Sequence, residues 1–588
     1  MLLARPGELV TREELQKKLW PADTFVDFDR SLNAAVKRLR AALGDSAETP
    51  RFIETLARRG YRFIAPVDAC RSGAPEPREA TPPPPARPGY FQAVALTAMT
   101  LSALGLMLYL GKRGDRFGHD ISPRRMQSLL VLPLKSLSGD PEQAYFADGM
   151  TDALNARLSG VSALRVISQT SASLYKGTGK PLAQIARELS VDGIVEGSVL
   201  RSGNRVRINV QLVRPDGERR LWGQTYERDV RDVLAVQSEV TRAIVDEIRV
   251  KLTPGEEARL ASVRASNPEA HVAYAKGRFF WNKRTEEGLR KAIEFFGQAI
   301  DADPGYSLAH VGLADSWAPR AWYAYLPPKE AFPHAKEAVT RALELDPGLA
   351  EAHTTLAFIN LYYDWDWAAA DREFRHAIEL NPNYANAHHW YAEYLSLVGR
   401  HEAAIREAER ARELDPLSSI INTWVGSRYF LARRYDIAVA QYRNAVDLDP
   451  TFVPAHMALG QAYEQTKMFR EAISELERAV GLSGGSPVYI ASLAHAYGVT
   501  GRKSDTLRLI DDLKKLASRR YVASFDMAIA WLGLGDNERA LTALERAVED
   551  RSPRLLFLMT EPRFDPLRSE RRFQALIKRV GPYGSTLR

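Results

Sequence analysis

The sequence predicts a multidomain protein, in which a small amino-terminal domain precedes one transmembrane helix, a small α/β domain and an all-α superhelix of repeats. Three observations lead to this fold class. A length of 588 residues is too great for one hydrophobic core. An internal stretch is apolar and free of charge, and proline recurs at nearly constant spacing in the second half of the chain.

The composition and the absence of known motifs exclude several classes of site and function. The hydrophobic share of 45% and the charged share of 26% are those of folded protein, and a net charge of +7 over this length does not by itself indicate nucleic-acid binding. The single cysteine, Cys70, excludes an intramolecular disulfide framework and a cysteine-based zinc site. The chain has no Walker loop, HExxH pair, serine elbow or kinase motif set, so we predict no enzyme activity, catalytic residue, cofactor or metal.

Residues 1–67 predict two helices followed by a hairpin. Thr11 and Glu14 have the spacing of a capping box, in which hydroxyl and carboxylate satisfy the first amides of a helix. A second helix is predicted from Asp29 to Leu43. The segment Phe52–Ile64 predicts a hairpin with arginines at its tip.

The second helix has a buried and a polar side. Leu32, Val36, Leu39 and Leu43 form one apolar stripe. Charge alone favours a solvated helix face and an ordinary hairpin. Arginine and asparagine can, however, donate paired hydrogen bonds to guanine and adenine, and lysine neutralises phosphate. The candidate DNA-binding residues are Arg30, Asn33, Lys37, Arg38, Arg40, Arg58 and Arg59.

The order of these elements favours a DNA-binding domain over a solvated helix face with an ordinary hairpin. The run Leu32–Leu43, followed by Ile53-Glu54-Thr55 and Gly60-Tyr61-Arg62-Phe63, resembles the OmpR/PhoB-type winged helix. The resemblance implies a recognition helix in the major groove, a wing on the neighbouring backbone or minor groove, and double-stranded DNA as partner. The wing departs from the family pattern, since Ala57-Arg58-Arg59-Gly60-Tyr61 stands where a Gly-x-Gly-Tyr sequence is common.

The family's domain also begins with a small sheet and a first helix. This chain starts within the end of that helix, at Met1–Ala4, so the resemblance implies a truncated winged helix. We expect the remaining strands and helix to be encoded upstream. Residues 1–67 as written are expected to fold poorly, because the apolar stripe loses much of its cover.

A proline-rich linker over 68–89 leads to the predicted transmembrane helix at 90–111. The stretch Pro88–Gly111 carries no charge, and its apolar residues lie on all helical faces, which favours a membrane span over a buried core helix. We therefore expect a single-pass protein of the bacterial inner membrane, with a cytoplasmic amino-terminal domain and a periplasmic repeat region. Lysines and arginines just after the span, beginning with Lys112-Arg113, favour the opposite orientation.

Residues 126–252 predict a small α/β domain. Apolar runs alternate with helical patterns, and Ser202-Gly203-Asn204 has the composition of a hairpin turn. Leu130–Leu134, Tyr145–Met150 and Glu196–Val199 resemble the TolB-amino-terminal-like domain. Asp148-Gly149 could belong to a metal or phosphate site, but helix capping explains both residues. The apolar runs predicted as strands are Leu129–Leu134, Leu164–Ile167, Gly193–Val199 and Val206–Val213.

Residues 265–560 predict a solenoid of helix pairs. Proline recurs at spacings of 43, 35, 34 and 34 residues, and a period near 34 is that of paired helices. The residues are Pro304, Pro347, Pro382, Pro416 and Pro450. This pattern resembles tetratricopeptide (TPR) repeats. Residues 561–588 are predicted to form a capping helix and a tail. Small residues recur twelve and five positions before four of these prolines, at Ala292/Ala299, Ala370/Ala377, Ala404/Ala411 and Ala438/Ala445.

Two aromatic clusters lie in the repeats, Trp322–Tyr325 and Tyr362–Trp367. They could line a concave groove for a protein or peptide partner, although packing between repeats explains them more simply. The adjacent pair His388-His389 points in different directions on a helix, which does not suit a metal.

These elements together resemble the CadC/ToxR class of regulators. The resemblance implies a membrane-anchored, DNA-binding transcriptional regulator whose TPR region senses or binds a protein partner. The alternative is a membrane-tethered TPR scaffold with a winged-helix remnant that has lost DNA affinity. The sequence leaves the oligomeric state open.

Overall fold

The structure is a computed structural model that describes residues 8–11, 13–15, 36, 40, 45, 50–56, 60–65, 126–138, 141–216, 219–261 and 267–582. The chain divides into two compact units, Met1–His119 and Asp120–Arg588, and each is described by itself.

The first unit contains a three-stranded antiparallel sheet. Its strands are β1 (Leu9–Thr11), β2 (Ile53–Leu56) and β3 (Gly60–Phe63), in the spatial order β1-β3-β2. The predicted hairpin is confirmed as β2 and β3, and its tip lies outside the described residues. Sequence reasoning missed β1, because three residues are too few to show an alternating pattern.

The capping box of the first unit is seen, and of the predicted apolar stripe the structure describes Val36. The backbone N–H of Thr11 donates to Glu14 Oε2 at 2.8 Å, and the N–H of Glu14 donates to Thr11 Oγ1 at 3.2 Å. Val36, from the predicted stripe, is buried against the sheet. The buried apolar residues of this core are Val10, Leu15, Val36, Ile53, Tyr61 and Phe63.

The second unit begins with an α/β layer. Its sheet runs in the order β6-β4-β7-β8-β9, with β5 paired to β7. Strands β4, β6 and β7 are parallel, whereas β7, β8 and β9 form an antiparallel meander. Strands occur in each of the four predicted apolar runs. The strands are β4 (Ser128–Val131), β5 (Lys135–Ser136), β6 (Arg165–Val166), β7 (Gly193–Ser202), β8 (Arg205–Arg214) and β9 (Arg219–Asp229).

Helices cover this sheet and bury its apolar residues. Leu129, Leu154 and Val240 are fully buried in the core formed between them. The two helical patterns of this domain, predicted at Ala147–Leu158 and Val233–Leu252, correspond to the two longest of these helices. The helices are α1 (Pro141–Ser159), α2 (Gln169–Ser173), α3 (Leu182–Leu189), α4 (Val233–Glu247) and α5 (Pro254–Ala261).

The rest of the second unit is an all-α TPR superhelix of antiparallel helix pairs. Each pair is followed by the next through a short loop that contains the recurrent proline or its equivalent. The repeat helices are α6 (Pro268–Asn282), α7 (Glu286–Ala302), α8 (Ser307–Trp322), α9 (Pro328–Leu345), α10 (Ala350–Ile359), α11 (Trp367–Leu380), α12 (Ala385–Leu397), α13 (His401–Leu414), α14 (Ser419–Leu431), α15 (Tyr435–Leu448), α16 (Val453–Gln465), α17 (Phe469–Leu482), α18 (Pro487–Val499), α19 (Lys503–Ala517), α20 (Ser524–Gly533) and α21 (Asn537–Glu549).

Small residues allow the paired helices to approach closely. The predicted pairs of alanines, from Ala292/Ala299 to Ala438/Ala445, have no exposed surface. At Gly426, a Cβ atom would lie 2.7 Å from the Tyr442 ring of the partner helix α15. Because protein interiors are close-packed, side chains larger than alanine at these positions would separate the helices.

The α/β layer and the repeats belong to the same compact unit. Asn383 Nδ2 donates to the carbonyls of Ser159, Val161 and Leu164, at 3.0, 3.2 and 2.7 Å. The loop after α1 is thereby attached to the loop between α11 and α12. The sequence predicted two adjacent domains and contained no sign of this contact.

The carboxyl-terminal segment crosses back over the repeats. It consists of two 3-10 helices, Pro553–Met559 and Pro562–Leu567, and helix α22 (Arg571–Val580). Trp367 Nε1 donates to the Val580 carbonyl at 3.0 Å. Arg433 forms a bidentate ion pair with Asp565, at 2.6 and 2.8 Å. The segment therefore contacts repeats that are far away in sequence.

The predicted transmembrane helix requires a correction. Its residues, 90–111, lie outside the described residues, and among the helices that the structure describes none is long and apolar enough to cross a membrane. The 19-residue helix α1, for example, carries Asp148, Asp152 and Arg157, and charged side chains are costly in lipid. The fold class is therefore wrong in this element. The predicted inner-membrane localisation, with its cytoplasmic and periplasmic halves, rested on the same span and is not retained.

Candidate DNA interface and interior of the repeats

Of the predicted DNA-binding residues, the structure describes Arg40. Its Nη2 donates to the Ile53 carbonyl at 2.7 Å and to Thr55 Oγ1 at 2.8 Å, so one arm of the guanidinium is held by strand β2. Its buried Nε has no hydrogen-bond partner among the described residues. Arg40 thus fixes the second helix to the hairpin. Arg30, Asn33, Lys37, Arg38, Arg58 and Arg59 lie outside the described residues.

Further contacts hold the hairpin in place. The carboxylate of Asp45 accepts hydrogen bonds from the backbone N–H groups of Arg51 at 2.7 Å and Ile53 at 2.8 Å, where β2 begins. Across the hairpin, Arg62 Nε donates to Glu54 Oε2 at 2.8 Å. Sequence reasoning missed Asp45, although an aspartate just beyond the predicted helix stop is a common signal for such a turn. The contacts of Asp45 hold the beginning of β2, and the Arg62–Glu54 contact joins the two strands of the hairpin.

The repeat region has an aromatic interior. The ring centroids of Trp322 and Tyr362 are 4.9 Å apart, and those of Phe358 and Trp390 are 4.7 Å apart. Phe557 of the carboxyl-terminal segment lies against Trp322, at 6.0 Å between centroids. Trp322 and Tyr362 from the two predicted aromatic clusters therefore pack between repeats and under this segment, as the simpler interpretation predicted.

A buried ion pair lies beside these rings. Glu393 of α12 and Arg428 of α14 are paired, and each side chain is about 1% exposed. Burial, with a further contribution from the charge of Glu393, raises the pKa of Tyr362 well above its ordinary value. Burial, assisted by the positive charge of Arg428, lowers the pKa of His389 well below its ordinary value, so this imidazole is neutral.

The adjacent histidines of α12 have different surroundings, as the sequence predicted. His388 Nδ1 contacts Glu407 Oε2 at 2.6 Å and its Nε2 contacts the Pro382 carbonyl at 3.0 Å. His389 instead lies next to Trp390, at 4.5 Å between ring centroids. Among the described residues, no group of three or more histidines, cysteines or acidic residues could hold a metal ion.

Sequence reasoning missed a contact that recurs at five of the repeat junctions. A polar side chain six residues after the proline contacts that proline's carbonyl, at distances between 2.8 and 3.2 Å. The proline spacing contained this signal, since histidine or asparagine recurs at the same offset. The residues are His310, His353, His388, Asn422 and His456.

Comparison with known families confirms the winged helix and the repeats. Residues 1–63 match the family described as "Transcriptional regulatory protein, C terminal". Residues 373–406, 426–467 and 453–485 match TPR families. The chain therefore joins the DNA-binding type of domain found in transcriptional regulators to TPR repeats.

Individual relatives share parts of the chain. It is 41% identical over 187 residues to "Putative adenylate cyclase 3" of Rhizobium meliloti, covering 32% of each chain. It is 22% identical over 407 residues to "Transcriptional regulator HilA" of Salmonella typhimurium, covering 69% of this chain and 63% of the relative. It is 41% identical over 68 residues to "Cholera toxin homolog transcriptional activator" of Vibrio parahaemolyticus, covering 12% of this chain and 23% of the relative. The chain thus spans less than two thirds of the length of each of these relatives.

Proposed function

We propose that this chain is a DNA-binding transcriptional regulator whose winged helix contacts double-stranded DNA and whose TPR region binds a protein partner. The observation that carries the first part is the match of residues 1–63, together with Arg40, which attaches the helix to the wing. In this proposal Lys37 and Arg38 contact DNA from the helix, and Arg58 and Arg59 contact it from the wing. Arg30, Asn33 and Nη1 of Arg40 complete the surface.

Salt dependence tests the DNA contact. The Lys37/Arg38/Arg58/Arg59→Ala variant of the full chain is compared with wild type by fluorescence anisotropy on duplex fragments of genomic DNA. We expect weaker binding and a salt slope that is shallower by about one unit for each phosphate interaction that the variant removes. Where a replaced side chain also contacts a base, the variant should lose a further 1–3 kcal/mol, roughly, of binding free energy on the preferred DNA sequence. Equal affinity and equal slope would refute the proposed contact.

The matched control removes the same charge far from the winged helix. Lys503, Arg508, Lys514 and Lys515 are exposed on α19, and their replacement by alanine changes net charge by the same amount. This control should bind DNA as wild type does. If its affinity falls as much as that of the first variant, the attraction is a property of overall charge and the winged helix is not its source.

The second part of the proposal rests on the architecture of the repeats. Stacked helix pairs present an extended surface, which suits recognition of a polypeptide. Cross-linking of the full-length protein in its own cells, followed by mass spectrometry, tests this. We expect cross-links from lysines of the repeats to one recurrent protein. Cross-links only within the chain would count against a protein partner. The TolB-like assignment and the absence of enzyme activity remain predictions.

A further inference from the structure

Three of the repeat junctions contain the same histidine bridge. In each, a histidine in the first turn of one helix lies between the carbonyl of the preceding proline and a glutamate of the paired helix. Nε2 is 2.9 or 3.0 Å from the carbonyl oxygen, and Nδ1 is 2.6 Å from a carboxylate oxygen. A histidine bridge therefore joins a loop to both helices of one repeat. The three bridges consist of Pro347, His353 and Glu373; Pro382, His388 and Glu407; and Pro450, His456 and Glu475.

Both partners of each imidazole ring are hydrogen-bond acceptors. A carbonyl and an ionised carboxylate have no hydrogen to donate, and a neutral imidazole has a single N–H. With one proton on the ring, one of the two contacts would place a nitrogen lone pair against an oxygen lone pair at hydrogen-bond distance. Both contacts are satisfied together by the imidazolium ion. The geometry of the three bridges therefore corresponds to histidines that carry both protons.

Two other junctions have the loop contact without a glutamate bridge. Asn422 Nδ2 donates to the Pro416 carbonyl at 2.8 Å, so an amide that does not titrate can close this contact. His310 Nε2 contacts the Pro304 carbonyl at 3.2 Å, and among the described residues no carboxylate contacts its ring. Burial lowers the pKa of His310, and the charge of Arg341 acts in the same direction. The second proton is therefore required by the glutamates and not by the loop contact.

The electrostatics are resolved at His456. Burial lowers the pKa of this imidazole, but the hydrogen bonds to Glu475 and to the proline carbonyl outweigh burial, and the pKa is raised above its ordinary value. The charge of Arg478, which donates to the same carbonyl at 3.4 Å, opposes the second proton. The carboxylate contacts the ring directly, and its effect is the larger one.

Further charged groups lie near the other two bridges. The ring of His376 in α11 lies 4.5 Å from that of His353 between centroids. Near His388, Arg410 of α13 donates to Asn383 Oδ1 at 3.2 Å, in the loop that also supplies the proline carbonyl. The glutamates, by contrast, contact the rings themselves. The charged and titratable neighbours of the three bridges, besides their own glutamates, are His376 with its partner Glu379, Arg410, Arg478, and Asp346 and Asp449 in the loops.

We propose that the bridges of His353, His388 and His456 are proton-dependent, so that the repeat region loosens at these three junctions as the pH rises above neutrality. Each bridge is closed while its imidazole carries both protons, and loss of one proton opens it at the glutamate or at the loop. A histidine held in this way stabilises the fold fully below the histidine pKa of the unfolded chain, about 6.5, and the contribution is lost as the pH rises through the folded pKa. This inference goes beyond the proposed function and does not depend on DNA binding or on a protein partner.

Hydrogen exchange of the full-length protein tests the bridges, at about pH 6 and about pH 8.5 and with correction for the intrinsic exchange rate at each pH. The His353/His388/His456→Asn variant keeps the loop contacts, as Asn422 does, but has no proton to lose there. Between the two pH values, the protection of α10, α12 and α16 should fall at least about threefold more in wild type than in this variant. Glu373/Glu407/Glu475→Gln should lose the pH dependence as well, because a neutral amide needs no second proton on the ring.

His310→Asn is the matched control, since it makes the same change at a junction without the glutamate contact. It should keep the wild-type pH dependence in α10, α12 and α16. Wild-type pH dependence in either triple variant would overturn the proposal, and so would its loss in His310→Asn, which would place the titrating group elsewhere. If the asparagine variant fails to fold, the glutamine variant decides with the same two outcomes.

Discussion

The buried carboxylate of Asp415 accepts two hydrogen bonds from Ser171, from its backbone N–H at 3.1 Å and from its Oγ at 2.5 Å. These residues are 244 positions apart, one in the loop after repeat helix α13 and the other in α2 of the α/β layer. Ser171 Oγ in turn accepts from the Leu417 N–H at 2.9 Å. The α/β layer is thus attached to the repeats by directional bonds and not by apolar contact alone.

This attachment should depend on pH. Burial raises the pKa of Asp415 from 3.8 to about 6, although hydrogen bonds from Ser171 and Ser168 oppose the shift. The folded state therefore holds the proton to higher pH than the unfolded chain. The contribution of Asp415 to stability is largest below about pH 4, declines as pH rises and is lost above about pH 6.

Asp415→Asn isolates this effect, because the amide oxygen still accepts from Ser171 but does not titrate. Urea denaturation at about pH 4.5 and about pH 7 should show the variant gaining on wild type at the higher pH, by about 2 kcal/mol. A difference between the two proteins that is the same at both pH values would contradict the prediction.

Asn383→Ala should weaken the attachment of the α/β layer to the repeats. The substitution removes the donor for three carbonyls of the loop after α1, of which the Val161 carbonyl keeps a hydrogen bond from the Leu164 N–H. The lost bonds cost about 1–3 kcal/mol of stability. Hydrogen exchange should accelerate at Ser159–Leu164. Asn386→Ala, on the first turn of α12, is the control and should leave exchange there unchanged. Equal protection in both variants would mean that Asn383 does not hold this loop.

Gly426→Ala should destabilise the repeats. The added Cβ would lie 2.7 Å from the Tyr442 ring, and overpacking of this kind costs about 1–3 kcal/mol. Gly481→Ala is the matched control, since a Cβ there meets nothing within 4 Å and alanine favours the helix. Thermal denaturation should show a lower melting temperature than wild type for Gly426→Ala and an equal or higher one for Gly481→Ala. The reverse order would show that helices α14 and α15 adjust freely.

Arg40→Met should weaken the wing while keeping the apolar stem of the side chain. It removes the bonds to Ile53 and Thr55, each worth about 0.5–1.5 kcal/mol. Exchange of the β2 amides should accelerate in the full-length protein. Arg51→Met replaces an exposed arginine beside the same strand and should have little effect. If both variants behave alike, Arg40 does not fix the hairpin to the helix.

The sequence by itself determined the elements with strong periodic patterns. The spacing of prolines and alanines predicted the repeat helices and their contact sites, because a 34-residue unit repeats one local geometry. The capping box at Thr11 and Glu14 and the hairpin after it were likewise predictable, since both depend on neighbours in the chain. The same local reasoning predicted a transmembrane helix at 90–111, and the described helices do not bear it out.

Only the tertiary structure decided which distant groups meet. No periodic pattern in the sequence predicts the long-range contacts. These contacts are Asn383 with Leu164, Asp415 with Ser171, and Phe557 with Trp322. Local periodicity states which face of a helix is buried but not which segment covers it. Contacts between residues hundreds of positions apart depend on how whole elements pack against one another, and this packing is decided by side chains from many parts of the chain at once.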